Sequence, residues 1–460
     1  MNVVIIGGGI AGLSAAYQLH HIAPELTLTL VEASAQWGGK IATEHVDGFL
    51  IESGPDCFLS RKPHGIALCE SLGIADQLIG RDPDHAKTFV LRDGRLHPLP
   101  SGLTGMIPTQ LDALTNSSLL SAEGIAHVTQ EPTLPPRPGS DDESVASFIS
   151  RRLGREAFDH LVEPLMGGIC AGQADQLSLA AMFPQLRRLE QEHGSLLKGL
   201  NLQQPAPAPL YPPFVSFKNG MQTLVDALVG QLTGVDLRLN VAVTHVDPIE
   251  RGYLLQLSGP KAEPLHAEAV IITTPAFVSS QLLSTLDAEW AATLLDIPYA
   301  STALVNLAFD EADLPVLDGY GYLIPRIEQR EALACTWTSR KWRDRAPSTT
   351  LLLRVYVGRY DQTDVTQYED DRLLDIARDE IRSTLQIDTP PLFHRIIRYP
   401  NALPQYNMGH LDRIDSVNCR LAQHPGLFMA GAMFNGVGIP DCIASGETAA
   451  THVLQYLRSH

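Results

Sequence analysis

The chain has 460 residues, too many for one ordinary domain, and is 44% hydrophobic and 19% charged, the balance of a globular protein with a sizeable core. With 34 Lys+Arg against 52 Asp+Glu its net charge is −18, which argues against nucleic acid and an anionic membrane surface while leaving room for a local basic pocket. Its six cysteines, at 57, 69, 170, 335, 419 and 442, form no CxxC pair, so neither a disulfide framework nor a zinc site is expected, and a reducing, cytoplasmic compartment is.

Residues 2–6 are a short β-branched run, 7–12 a glycine turn, 13–21 a helically spaced segment carrying small Ser14, Ala15 and Ala16, and 26–31 a second β-rich run. This is the first β-turn-α-β unit of a doubly wound sheet. The apolar start has no Lys or Arg before it and runs into glycines, so it reads as a buried strand and not a signal peptide. Segments 131–144 and 204–213 are proline-rich and read as loops or linkers. The mostly helical stretch 145–200 between them reads as an insertion between pieces of the nucleotide domain. Further on, 221–232 has helical spacing, 235–246 looks like strands, and 269–274 is a buried strand stopped by Pro275. Beta-like runs at 303–309, 321–324 and 351–357 precede a helical pattern at 372–385. A final strand at 426–431 leads into a glycine-rich turn and a closing helix at 441–457. No apolar run reaches 18 residues, so no integral membrane segment is expected.

Gly7, Gly9 and Gly12 form GxGxxG between a strand and a helix, and Glu32 lies 20 residues beyond Gly12, at the end of the second strand. Each part has a physical task. Gly7 allows the tight turn, Gly9 lets a pyrophosphate approach the backbone, and Gly12 permits close helix–strand packing. The helix N-terminus offers free N–H groups to phosphate. Glu32 would accept hydrogen bonds from ribose hydroxyls and repel a 2′-phosphate, which disfavours NADP. The segment Gln36, Trp37, Gly38, Gly39, Lys40 follows at once. Its glycine doublet admits a second part of a long ligand and its lysine can meet phosphate, so FAD is expected in preference to NAD.

The strings GGGIAGLSAAYQL, VEAS, GGK and ESGPDCFL resemble the flavin amine oxidase and desaturase superfamily. Longer stretches resemble its porphyrinogen oxidase branch, which serves haem synthesis: VEPLMGGICAGQADQLSLAAMFP (162–184), EQEHGSLLKG (190–199), FKNGMQTLVDAL (217–228), LHPLPSGLTG (96–105) and LFMAGAMFNGVGIPDCIASGETAA (427–450). The details look closer to the soluble bacterial coproporphyrinogen III type than to the membrane-attached protoporphyrinogen type. The fold class implied is α/β: a discontinuous Rossmann-like FAD-binding domain (1–85, 214–275 and 405–460), a substrate and helical insertion (86–213), and a mixed α/β substrate-binding domain (276–404).

The resemblance also implies site residues. Gly7, Gly8, Gly9, Ile10, Ala11 and Gly12 would hold the pyrophosphate, Glu32 and Ala33 the adenosine side, and Lys40 would stand near the phosphates. Gly54, Pro55, Asp56 and Cys57 would lie by the flavin ring, Val243 would give backbone contacts to adenine, and Gly436, Val437, Gly438 and Ile439 would meet the ring's far edge. Leu411 occupies a position where some relatives carry Trp. The covalent-flavin cysteine of some amine oxidases has no counterpart in Ala430, Gly431, Ala432 and Met433, so the FAD is expected to be non-covalent and Cys442 simply packed.

The reaction implied is aromatisation of a porphyrinogen: six electrons leave in three flavin reductions, and three O2 become three H2O2. No side-chain base is expected to be essential, because a pyrrole N–H proton can leave through water or substrate tautomers. Propionate carboxylates need basic anchors, and Lys87, Arg92, Arg95, Lys218 and the Arg340, Lys341, Arg343, Arg345 cluster are candidates. Lys87 is taken as the substrate contact, next to Thr88, where some relatives carry a basic residue. The 340–345 cluster reads as a wet, charged loop. His85, His97 and His410 have no partner at a metal-like spacing, so no metal is expected. Protoporphyrinogen IX remains the alternative substrate, a non-catalytic flavin-binding protein the alternative class, and a homodimer is left open. An amine oxidase is disfavoured by the absence of lysine between Lys261 and Lys341, and a carotenoid desaturase by the lack of a segment announcing a membrane-docking patch.

Overall fold

The structure is a computed structural model that describes residues 1–139, 141–202, 210–260 and 262–459. Its first sheet is wholly parallel and is assembled from distant parts of the chain. The strand order is Asp236–Arg238, Thr27–Val31 (β2), Asn2–Ile6 (β1), Ala269–Ile272 and Leu427–Met429. Alternate residues of β1 feed two cores. Val3 and Ile5 pack with the first helix, Ile10–Ile22 (α1), and the closing helix Ile439–Ser459. Val4 and Ile6 pack with residues of helices Ala276–Leu283, Ala288–Leu295 and His410–Leu421. Burial on both faces explains the unbroken apolar reading of these strands. The chain leaves β1 toward β2 but returns on β1's other side at Ala269–Ile272, so the order reverses at β1 and a crevice opens beyond its C-terminal end.

A second sheet has seven strands in the order Phe393–Pro404, Tyr299–Asp310, Thr350–Val357, Ala332–Trp337, Gly321–Leu323, Phe89–Arg92 and Arg95–Pro98. All neighbours are antiparallel except the Gly321–Leu323 and Phe89–Arg92 pair. Helix Asp370–Leu385 covers one face with Leu373, Ile376, Ala377, Ile381 and Leu385 against Val305, Leu307, Leu353 and Val355. The strand period of two then sends Arg354 and Tyr356 to the opposite face.

Two groupings expected from sequence divide differently in space. Residues 89–98 were grouped with the helical insertion, yet they extend the seven-stranded sheet, because their apolar run finds an edge at Gly321–Leu323. Residues 276–294 were grouped with the substrate domain, yet they bury Ala276, Leu282, Leu283, Trp290 and Leu294 against the parallel sheet.

The helical region is held by a core that includes Val145, Phe148, Ile149, Phe158, Val162, Met166, Leu189 and Leu197. Segment 131–144 is not a solvated linker. Its Glu131 is fully buried and paired with Arg152, which pins the chain to this core. Of the second proline-rich stretch, residues 204–209 lie outside the described residues, and 210–213 carry no helix or strand. Among the described residues no helix is long and apolar enough to cross a membrane.

Candidate functional site

The glycine turn is tied on both sides. Gly7 N–H donates to Val31 O (2.8 Å), and Thr273 donates to Ile6 O through N–H (2.8 Å) and through Oγ1 (2.9 Å). Helix α1 begins at Ile10 with no side chain capping its first N–H groups, and Ile10 and Ala11 turn into the core. A Cβ added at Gly9 would meet nothing within 4 Å, so the space above the turn is open. The Gly38–Gly39 doublet closes on the same place: Gly38 N–H donates to Gly8 O (2.8 Å), and a Cβ on Gly39 would lie 3.2 Å from Gly9 Cα. Uncapped helix donors beside an open space bordered by glycine backbone are the arrangement a phosphate group requires. Lys40 follows the doublet. It is solvent-accessible, yet the surrounding protein holds its ammonium pKa below the ordinary value.

Glu32 sits at the end of β2, with Oε2 accepting from Gly8 N–H (2.7 Å) and Oε1 from Ser34 N–H (2.8 Å); Ala33 beside it is exposed. Strand Ala242–Pro248 forms the edge of a small antiparallel sheet, and Val241 just before it donates to Glu32 O (3.1 Å). The edge therefore brings Val243 beside Glu32, with a ladder irregularity between Val243 and His245.

The second wall is the segment Gly54, Pro55, Asp56, Cys57. A Cβ on Gly54 would lie 1.7 Å from Lys40 O, so this segment lies directly against the lysine loop. Arg354, from the face of the seven-stranded sheet opposite helix Asp370–Leu385, donates to Gly54 O, while its Nε is buried without a partner. Asp56 Oδ2 accepts from Lys341 Nζ (2.8 Å) and Trp342 Nε1 (2.9 Å). Burial alone would raise the Asp56 pKa, but the charges of Lys341 and Arg354 overcome it and hold the carboxyl well below its usual range. Burial and the Asp56 charge push the Cys57 thiol up to about 12, so it stays protonated and is no nucleophile.

The 340–345 cluster is therefore not a wet loop. Lys341 is engaged with Asp56, and Arg345 is fully buried, donating to Phe217 O (2.7 Å) and Lys218 O (2.9 Å). Arg340 pairs with Glu311, and Arg343, 64% exposed, pairs with Asp82 and Asp84. The other expected anchors are engaged or outward-facing. Lys87 is 59% exposed and bonded to Asp318 at 2.5 Å, Arg92 is bonded to Glu156, and Arg95 and Lys218 are exposed.

The third wall is the C-terminal glycine turn. Tyr406 Oη accepts from Gly436 N–H (2.8 Å) and donates to Ala432 O (2.5 Å), bracing the turn from below. Gly438 N–H donates to Asp441 Oδ2 (3.3 Å), and Asp441 pairs with Lys62 (2.6 Å). Val437 is half-buried, while Ile439 starts the closing helix and enters the core shared with α1. Leu411 is 42% exposed at the start of helix His410–Leu421. Sequence reading missed Arg354, Trp342 and Tyr406. Only Arg354 left a signal, as a charge inside an apolar strand run.

His410 is fully buried and stacked on Tyr406 (centroids 4.2 Å apart). Neither ring nitrogen meets full hydrogen-bond geometry, and the nearby Met433 and Phe434 backbone offsets burial only in part. Burial, helped by the Arg413 charge, pushes its pKa down to about 4. A histidine in the unfolded chain titrates near 6.5, roughly. The depressed folded value means this contribution is complete above the unfolded pKa and is lost as pH falls through the folded one, about 3 kcal/mol in all. Urea unfolding at pH 7 and pH 4 should show that loss, and a His410→Phe variant, which keeps the stack, should lose less.

Residues 10–454 match the family of flavin containing amine oxidoreductases. The chain belongs to that family. It is 36% identical to the coproporphyrinogen III oxidase of Bacillus subtilis, covering 100% of this chain and 99% of that protein. The Staphylococcus aureus coproporphyrinogen III oxidase is 33% identical, over 99% of each. The chloroplastic protoporphyrinogen oxidase of Nicotiana tabacum is 29% identical, over 99% of this chain and 86% of that one. Among solved structures, an Exiguobacterium protein assigned as a protoporphyrinogen oxidase superposes with a TM-score of 0.88 at 33% identity, covering 99% of both chains. Cyclohexylamine oxidase from Brevibacterium oxydans shares the fold, with a TM-score of 0.69 at 16% identity and 99% coverage of both.

The flavin oxidoreductase cofactor is FAD, and the residues present fit it. Open, uncapped donors at the glycine turn suit a pyrophosphate, the Glu32 carboxylate lies beside the turn, and the orphaned Arg354 Nε lies at the Gly54 wall. Cys442 is buried, with its thiol pushed up to about 12 by burial, as a packed cysteine would be.

Proposed function

We propose that the chain oxidises a porphyrinogen to a porphyrin with FAD, coproporphyrinogen III to coproporphyrin III being the preferred substrate and product. The observation that carries this reading is the full-length 36% identity to a coproporphyrinogen III oxidase. Protoporphyrinogen IX is the second reading, favoured by the match to a plant protoporphyrinogen oxidase over 99% of this chain and 86% of that protein.

FAD, when bound, accepts two electrons per turn, so three turns remove six electrons and six hydrogens from the tetrapyrrole. The chain supplies the rest. In this reading the donors of Gly7 to Gly12 hold the pyrophosphate, Glu32 with Ala33 and Val243 holds the adenosine, and Lys40 faces the phosphates. Gly54 to Cys57 and Gly436 to Ile439 border the two sides of the ring, and Leu411 stands at the rim. A flat, apolar substrate needs an apolar wall, and apolar residues meet on the sheet face opposite helix Asp370–Leu385, where Tyr356 and Leu323 pack against Ala171 and Ala334. Beside it Ile169 is 45% exposed, and Gly168 lies against Leu323. Such walls orient the substrate and exclude water. The thiol of Cys57 is protonated and Asp56 is tied up by two donors, which supports a reaction with no side-chain base, the pyrrole proton leaving through water. Dioxygen is the proposed acceptor, three molecules giving three of hydrogen peroxide. A cytoplasmic site and a three-part arrangement of cofactor, substrate and helical domains belong to the same reading, and a homodimer is compatible with it.

Anaerobic mixing of the purified yellow protein with coproporphyrinogen III, protoporphyrinogen IX or a simple amine tests this. Fastest bleaching by coproporphyrinogen III, with colour returning in air and three peroxides per porphyrin, is expected. Bleaching by the amine alone, or by none, would overturn the assignment.

A further inference from the structure

We infer that Arg81 is a carboxylate anchor for the substrate. This deepens the porphyrinogen reading and rests on it. Arg81 follows strand Leu78–Gly80, which pairs with Phe214–Phe217. Its guanidinium carbon lies 4.8 Å from the Phe214 ring centroid and 4.8 Å from that of Tyr320, so two aromatic rings hold it. Tyr320 is itself fixed, its hydroxyl donating to Asp82 O (2.6 Å). Arg81 is half-buried, and among the described residues no carboxylate or other acceptor engages it. The nearest acid in sequence, Asp82, is already taken by Arg343 (2.8 and 3.0 Å) and by Asp84 N–H (3.1 Å).

A cation in that state is set to bind an anion. The two rings restrict its motion, and its N–H donors, engaged by no acceptor among the described residues, match a carboxylate two at a time. A guanidinium is also weakly hydrated, so bringing a carboxylate to it costs less water than at a lysine. The location suits the task. Asp82, next in the chain, donates its N–H to Lys341 O (3.0 Å), and Lys341 Nζ donates to Asp56 Oδ2 (2.8 Å), so Arg81 stands close to the wall expected beside the flavin ring. Lys341 differs in being neutralised by Asp56, as Lys87 is by Asp318 and Arg92 by Glu156. The ligand class is an aliphatic carboxylate on an otherwise apolar ring system, as in a propionate-bearing tetrapyrrole.

The test compares Arg81→Met and Arg81→Lys with the wild type as FAD-loaded proteins. Binding of coproporphyrin III and of its uncharged tetramethyl ester is followed by flavin and porphyrin fluorescence, and turnover of coproporphyrinogen III gives KM and kcat. A charge-assisted hydrogen-bonded contact is worth about tenfold to a hundredfold in affinity. Arg81→Met should weaken the acid and raise its KM by that factor, with ester binding, FAD content and kcat little changed. Arg81→Lys should fall between, because it keeps the charge and loses the fork. Equal weakening of acid and ester would make Arg81 a packing residue, and no change in either would leave it a bystander; both results overturn the anchor while wild-type turnover keeps the porphyrinogen reading. A wild type that turns over no porphyrinogen overturns that reading and the anchor with it.

Discussion

Gly12→Ala should give a protein that purifies without yellow colour and unfolds well below the wild type. A Cβ at Gly12 would lie 1.9 Å from Gly7 O and 2.8 Å from Thr273 Oγ1. Both neighbours are fixed, since Thr273 Oγ1 donates to Gly7 O (3.0 Å) and Thr273 N–H to Ile6 O. Helix α1 has no room to retreat. On its other side Gly446 of the closing helix sits so close that a Cβ there would fall 2.2 Å from Ala11 O and 3.2 Å from Ala15 N. A helix clamped between strand and helix cannot move the ångström or more that the methyl needs without breaking one contact. Overpacking of this kind costs more than the ordinary 1–3 kcal/mol, here about 4 kcal/mol. Flavin absorbance per protein and the thermal midpoint, taken together, check it. A fully loaded Gly12→Ala protein with unchanged stability would contradict the clamp.

Glu131→Ala is expected to lose about 3–5 kcal/mol of stability although it is remote from the glycine turn. Glu131 and Arg152 are both almost wholly buried. Arg152 donates to the Glu131 carboxylate and also to the backbone oxygens of Glu131 (3.0 Å) and Gly194 (3.0 Å). The same carboxylate accepts from Ser195 Oγ (2.5 Å), Leu196 N–H (2.8 Å) and Leu197 N–H (3.2 Å), at the start of helix Leu196–Leu202. Removing it leaves the buried Arg152 with only the longer contact to Glu190 (3.7 Å), a carboxylate shared with Arg151 and Arg187, and strands the donors of a helix start. Replacing both partners by apolar residues, as Glu131→Leu with Arg152→Met, should cost less than Glu131→Ala alone, because no unpaired charge remains. Urea midpoints of the two single variants and the double variant decide this. Additive losses would mean that the pair contributes no coupling.

These two sites show where the sequence was legible. Gly12 announces itself, because a local motif between a strand and a helix is made by neighbours in the chain. The parallel sheet was equally open to reading, since strands buried on both faces write an unbroken apolar run. Glu131 was hidden. It begins a stretch of proline, serine and acid, and nothing local says that an arginine 21 residues later will bury it. Arg345 was misread for the same reason: a basic cluster looks solvated until backbone acceptors from residues 217 and 218 arrive. The pairing of strands 89–98 with Gly321–Leu323 was not legible, because an edge pairing is a matter of topology, not composition.

The parallel sheet carries a consequence for biosynthesis. The strand Asn2–Ile6 waits for a neighbour at Ala269–Ile272, far later in the chain, and that neighbour waits for Leu427–Met429. At ribosomal rates of 5–20 residues per second the chain takes roughly 20 to 90 seconds to emerge, so the nascent glycine loop spends most of that time without its final surroundings. Helix Ile439–Ser459, made long after α1, is also the piece that grips α1 through Gly446. The parallel sheet and its first helix therefore cannot close until helix Ile439–Ser459 has emerged, and a chain cut before Gly446 would lack the contact that latches α1.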